Sequence, residues 1–227
     1  MATHLDLEEQ EQLDALKHFW KRYGGLITWA LIAVLGIFAA YNGWQWYERD
    51  RSAKAALLFD EIDRAAQAGD LDRASRGFGD MKERYASTTF ASQAALLLAK
   101  LQFDKGQPDA ARTSLEWVAR QGGEQAYPIV AKLRLAGVLL DQKKYDEALK
   151  ALPADAPPAF AALAEDRRGD ILAAQGKKDE AIAAYRKAWT QIDPALDYRR
   201  LVDAKLTALG AAPSAPAASA PAAGASR

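Results

Sequence analysis

From residue 24 to residue 43 the chain reads GGLITWALIAVLGIFAAYNG, and no full charge falls between Tyr23 and Tyr47. Beyond Glu48 the pattern changes. Apolar residues return every three or four positions among polar ones, and no second long apolar run follows. The first pattern predicts one membrane-crossing helix, since twenty residues at about 1.5 Å rise span roughly 30 Å, the depth of a hydrocarbon core. The second predicts amphipathic helices that bury one face each.

Aromatic residues border the apolar run, with Trp20 and Tyr23 before it and Trp44, Trp46 and Tyr47 after it. Their rings suit the two headgroup zones. Two alternatives stand beside the span. A buried core helix would rarely be so isolated or so bordered. A cleaved signal peptide would have a shorter apolar core, and only Ala39-Ala40 resembles a cleavage site. Lys17, Lys21 and Arg22 on one flank nearly balance Arg49, Arg51 and Lys54 on the other, so charge bias alone leaves orientation open. A short tail before a long polar domain inserts most simply with its N-terminus inside. Residues 8–22 carry Leu13, Leu16, Phe19 and Trp20 at helical spacing, which fits either an interfacial helix or an extension of the anchor. Gly36 and Ala40 form one small-xxx-small pair.

The polar part predicts helical hairpins. Ala56, Leu57, Phe59, Ile62 and Ala66 approximate one face, Gly69-Asp70 breaks the helix, and Ala74, Phe78, Met81 and Tyr85 continue after it, with Met81 as core filling. Three stretches then repeat. Ala95, Leu98, Ala99 and Gln102 precede the turn 105–108, with Ala111, Leu115 and Val118 beyond it. Leu135, Ala136 and Leu139 precede 143–145, with Ala148 and Leu152 beyond. Gly169 and Leu172 precede 175–178, with Ala181, Tyr185 and Ala188 beyond. The matched alanines 111, 148 and 181 are spaced by 37 and 33 residues, on either side of the tetratricopeptide period of about 34. Small residues such as Ala136 and Gly169 let the two helices of a hairpin approach. Stacking of neighbours then closes the core. Leu in place of Ala148 or Ala181 is expected to overpack that contact by ~1–3 kcal/mol. Pro153 shortens the second repeat, Asp193-Pro194 ends the third, and residues 195–209 read as a capping helix with Leu196, Leu201, Leu206 and Leu209 as its apolar points. A plain helical bundle fits the same pattern less specifically.

The predicted organisation is therefore an N-terminal segment at 1–23, an anchor with its aromatic exit at 24–47, an all-α domain of irregular tetratricopeptide-like hairpins at 48–210, and a disordered Ala/Pro/Ser tail at 211–227. About 160 residues lie between anchor and tail, enough for a real core.

Composition narrows the function. Lys plus Arg and Asp plus Glu both number 30, which argues against nucleic-acid binding. There is no cysteine, so disulfides, thiolate catalysis and Cys-ligated zinc are excluded. The two histidines, His4 and His18, both precede the span. No phosphate-cradling glycine motif occurs, and adjacent carboxylates such as Glu165-Asp166 and Asp179-Glu180 read as solvated surface. The chain is expected to have no catalytic residues, no metal site and no cofactor. Stacked hairpins commonly present a binding surface, where Tyr127, Tyr145, Tyr185 and Trp189 are the candidate anchors, with packing as the plainer role for each.

Taken together, the start EEQEQLDALKHFWKRYG, the exit GWQWY, the run FGDMKERYASTTFASQAALLLAK at 78–100 and the irregular repeats resemble the YfgM-like family, ancillary subunits of the proteobacterial SecYEG translocon. The resemblance covers roughly residues 5–209 and omits the tail. It implies an inner-membrane protein with a cytosolic N-terminus and a periplasmic domain. The implied partners are the SecYEG translocon, a membrane-anchored periplasmic chaperone of the peptidyl-prolyl isomerase type, and exported polypeptides passing to chaperones. It carries over no individual binding residue. A cell-envelope scaffold unrelated to export, or a regulator acting through the acidic N-terminal tail, fits the anchor and repeats as well.

Overall fold

The computed structural model describes residues 7–121 and 126–212, all helices, turns and short loops, with no strand among them. The expected disordered tail and the acidic stretch with His4 lie largely outside the described residues. The chain divides into two compact units, Met1–Ala53 and Lys54–Arg227.

In the first unit one helix, α1 (Leu7–Gln67), begins before the apolar run and continues through it. Residues 8–22 therefore extend the anchor helix and do not form a separate one. One helix is long and apolar enough to cross a membrane, and its apolar window is almost entirely uncovered by protein. Polar side chains within the run are satisfied on their own helix. Thr28 donates to the Gly24 carbonyl and Asn42 to the Phe38 carbonyl, both at 2.8 Å. In hydrocarbon, where no water substitutes, such i−4 bonds remove the cost of a bare donor. Aromatic pairs mark both ends, Phe19–Tyr23 at 5.1 Å and Trp44–Tyr47 at 6.2 Å between ring centroids.

The second unit contains the end of α1 and eight further helices among the described residues: α2 (Leu71–Tyr85), α3 (Thr89–Asp104), α4 (Pro108–Ala119), α5 (Ala126–Asp141), α6 (Tyr145–Ala151), α7 (Pro158–Ala174), α8 (Lys178–Gln191) and α9 (Asp197–Ala208). They run as antiparallel hairpins, α3 with α4, α5 with α6 and α7 with α8. Within the stack α3, α5 and α7 lie side by side, and α9 covers α8. The architecture is all-α and tetratricopeptide-like, as the periodicity predicts.

The turns explain why the repeat holds. At each, the chain takes one left-handed residue: Gly69, Gly106, Lys143 and Gly176. Each closes the preceding helix with the paired bonds of a Schellman cap. In the second turn Gly106 N–H reaches the Phe103 carbonyl at 2.9 Å and Gln107 N–H the Gln102 carbonyl at 2.8 Å. Five residues beyond each of these positions stands a fully buried alanine, Ala74, Ala111, Ala148 or Ala181. Ala74 makes the first hairpin a member of the same series, which the sequence pattern alone did not reveal.

Side-chain bridges tie successive turns together. Gln142 donates to Asp109 at 3.0 Å and Gln175 to Asp146 at 3.1 Å, while Arg112 meets Glu147 of the next hairpin at 3.1 Å. Close approach is achieved through glycine. A Cβ on Gly77 would stand 2.8 Å from Cγ1 of Ile62, and one on Gly169 2.5 Å from the Tyr185 ring. The Pro153 stop holds too: α6 has seven residues.

Three expectations need correction. The buried face at the end of α1 is Ala55, Ile62 and Ala65, and Leu57 is 72% exposed. Of the expected face, Ile62 is fully buried and Phe59 and Ala66 pack against the core, so Leu57 is the residue that lies off it. At α9, Val202 and Leu206 are buried, whereas Leu196, at the N-cap, and Leu201, one position off the contacting stripe, face outward. Asp166 is not solvated surface. It is 5% exposed, the one charged residue among the buried polar residues described.

Candidate functional site

Along the seam of α3, α5 and α7 the second unit carries a groove of about 390 Å³. Helical spacing builds it. Lys100 and Phe103 are three apart on α3, while Arg134, Val138 and Asp141 fall at four- and three-residue steps on α5, so each set shares one face. Arg167 enters from α7, and Leu115 of α4 lies beneath. Gly137 matters by what it lacks. A Cβ there would lie 3.7–3.9 Å from the Arg167 guanidinium, at ordinary contact distance, so the side chain of α7 reaches across to the α5 backbone at this glycine.

The floor is apolar and the rim charged. Phe103 is 38% exposed, one of few large apolar side chains in this unit left so open. Lys100 is paired with Asp104 on its own helix. Arg134 donates to the Leu96 carbonyl at 3.3 Å and has no carboxylate within ion-pair distance among the described residues. Arg167 stands 3.4 Å from Asp170. Three cations and Asp141 thus line the groove, and Asp104 and Asp170 stand beside two of those cations, which leaves Arg134 as the one lining cation with no ion pair among the described residues. A floor that accepts side chains beside guanidinium donors suits an extended polypeptide.

The four aromatic residues singled out from the sequence stand elsewhere. Tyr127 is half-buried at the start of α5 and its hydroxyl accepts from Gln93 Nε2 at 2.7 Å, joining α5 to α3. Tyr145 is half-buried against the larger core cluster. Tyr185 is 4% exposed, so it offers no surface: its ring fills the space over Gly169 and its hydroxyl donates to Asp170 at 2.8 Å. Trp189 is half-buried, with the Arg199 guanidinium 3.9 Å above its ring. None of the four lines the groove.

Phe103, Arg134 and Arg167 escaped the sequence reading because attention to matched alanines selects the faces between helices. The open face of the first helix in each hairpin carries the opposite signal, a charged or aromatic residue where the partner's side would demand a small one.

A second polar constellation lies between α7 and α9. Asp166 accepts from the Tyr198 hydroxyl at 2.6 Å and from Lys205 at 2.8 and 2.9 Å, and Lys205 also reaches Asp170 at 2.7 Å. Burial, then the neighbouring carboxylates, pushes both tyrosine hydroxyls above the usual range. Every member has a partner within the set, so the arrangement fastens α9 and is closed to a ligand. Among the described residues no group of His, Cys, Asp or Glu has metal-binding geometry.

Residues 17–211 match a family model described as a tetratricopeptide repeat-like domain. The chain is 33% identical over 214 residues to the ancillary SecYEG translocon subunit of Neisseria gonorrhoeae, covering 92% of this chain and all of that protein. It is 27% identical over 196 residues to the protein of the same name from Escherichia coli, covering 83% and 91%. It is 26% identical over 182 residues to that of Haemophilus influenzae, covering 80% and 89%. With the apolar helix, the hairpin series and these matches across nearly its whole length, the chain belongs to the YfgM-like family of ancillary SecYEG translocon subunits.

Proposed function

We propose that the protein is a non-catalytic adaptor at the SecYEG translocon, anchored in the inner membrane by residues 24–47. Its N-terminal segment, 1–23, lies in the cytosol and its hairpin domain, 48–210, in the periplasm. There the domain helps pass exported chains to periplasmic chaperones, including a membrane-anchored one of the peptidyl-prolyl isomerase type. The observation that carries this reading is the groove: an open apolar floor with a cationic rim, on the same chain as an uncovered apolar helix. The names of the relatives supply the translocon as partner. Anchoring confines the groove near the channel exit and raises its effective concentration there. Tyr127 stands seven residues before Arg134, two turns along the same face of α5, and is the aromatic residue best placed to extend the contact. Tyr145, Tyr185 and Trp189 serve the packing of the domain.

Extraction in mild detergent at native expression, followed by affinity capture of this chain, is expected to recover translocon subunits and a periplasmic chaperone. Photo-crosslinkers at Phe103 and Tyr127 are expected to join it to one of them. Recovery of the protein without any translocon subunit would contradict the reading.

A further inference from the structure

The geometry points to a ligand class for the groove: an extended polypeptide segment that carries a carboxylate within one or two residues of a large apolar side chain. This rests on the reading of the hairpin domain as a binding surface and adds what that surface selects.

The charge balance comes first. Lys100 is already matched by Asp104, and Arg167 stands near Asp170. Arg134 is exposed and has only a carbonyl partner, since Asp141 of the same lining makes no ion pair with it, so a planar donor fork at the groove wall is free to take an anion. Guanidinium groups hold carboxylates with two parallel bonds, and such charge-assisted bonds are stronger than neutral ones. The floor comes second. Phe103 is part-exposed and carries most of the open apolar surface, while Leu115 and Val138, themselves buried, back it from the core. A bare anion would satisfy Arg134 and leave that apolar surface wet. A purely apolar segment would cover the floor and leave a guanidinium facing it without a partner. An acidic residue beside an apolar one satisfies both. Gly137 lines the groove beside Arg167; a Cβ there would rest in ordinary contact with that guanidinium, and a side chain as long as leucine would extend into the groove.

The test uses the full-length protein in nanodiscs of zwitterionic lipid and three fluorescein-labelled nonapeptides. One contains the run Glu-Leu-Phe-Glu, the second Gln-Leu-Phe-Gln and the third Glu-Ser-Ser-Glu. Fluorescence anisotropy is expected to show the first binding about tenfold tighter than either of the others, the loss that follows removal of a charge-assisted bond or its apolar companion. That preference is expected to shrink as salt rises. Arg134→Gln is expected to abolish the difference between the first two peptides. Gly137→Leu is expected to remove binding altogether while leaving the melting temperature unchanged or higher, because leucine favours a helix over glycine.

Equal binding of the three peptides, no binding of any, or undiminished binding by Gly137→Leu would overturn the proposal. So would displacement of the first peptide by anionic vesicles as effectively as by excess unlabelled peptide. Translocon capture from the same membranes separates the two levels. Capture without peptide preference defeats the ligand class alone, and peptide preference without capture defeats the partner alone.

Discussion

The two ends of the hairpin stack are held by different physics. The larger core cluster runs from Ala55 through the first three hairpins to Ile171 of α7, and its buried members are Ala, Leu, Val, Ile, Phe and Met. The smaller begins one residue later, at Leu172, and gathers α8 and α9 through Ala181, Tyr185, Val202 and Leu206. Beside it sits the network of Asp166, Asp170, Lys205, Tyr185 and Tyr198. The first cluster is centred on the hairpins α3–α4 and α5–α6, each of which has a neighbour on both sides and can rely on apolar contact. The last hairpin has one neighbour, and its other side is closed by a single helix. Apolar burial is non-directional, so it leaves a lone helix free to shift. Hydrogen bonds from Lys205 and Tyr198 to a common buried carboxylate fix its register. A repeat stack is thus closed by specificity as well as by burial.

If that contrast is right, its largest consequence lies in the apolar cluster. Leu115→Ala should destabilise the domain by about 3 kcal/mol, the usual cost of emptying a buried leucine site. The loss should be the same in low and high salt, read by thermal unfolding. Lys205→Met comes next, at about 2 kcal/mol. It leaves Asp166 buried without its cation, and partial exposure of the lysine keeps the cost below that of a fully enclosed pair. Hydrogen exchange should locate this loss in α8 and α9 and spare α3–α5. An apolar cluster that responded equally would collapse the distinction.

Alkaline pH gives a smaller and more selective effect. Burial and adjacent carboxylates hold the protons on Tyr185 and Tyr198 above their ordinary range. The unfolded chain therefore releases those protons first, near pH 10. Their contribution is intact below about pH 10 and is lost as pH climbs toward the folded values. Exchange in α8 and α9 should accelerate above that pH earlier than in α3–α5. The smallest effect concerns a turn. Lys143 occupies the left-handed position that glycine fills in the other three turns of the series. Lys143→Gly should raise stability by about 0.5 kcal/mol, since relief of the backbone cost is partly offset by a freer unfolded chain. A decrease would show that the lysine side chain contributes at that turn.

What the sequence made legible follows from what each feature needs. The apolar run, the breaks at Gly69, Gly106 and Gly176, and the alanines at 111, 148 and 181 are local signals, because each is imposed by backbone or contact geometry at that residue. Ala136 and Gly169 were readable for the same reason, as positions where only a small side chain fits. Asp166 was not readable, since its partners stand 32 and 39 residues away on another helix. The groove was illegible likewise: Phe103, Arg134 and Arg167 converge only once three hairpins stack. Leu57 and Leu201 show a milder limit. An apolar residue next to a contact stripe looks the same in sequence as one within it, and one helical step decides between core and surface. Aromatic residues carry two readings in sequence, anchor or packing, and for Tyr185 the plainer one holds, since its ring fills the gap over Gly169.

Protease accessibility in spheroplasts, combined with alkaline carbonate extraction, reports both whether residues 24–47 hold the protein in the bilayer and on which side the hairpins lie. The protein should remain in the carbonate pellet, with residues 54–212 digested by external protease and an epitope before Tyr23 protected. Release into the carbonate supernatant, or protection of the hairpin domain in spheroplasts that admit protease elsewhere, would contradict this topology.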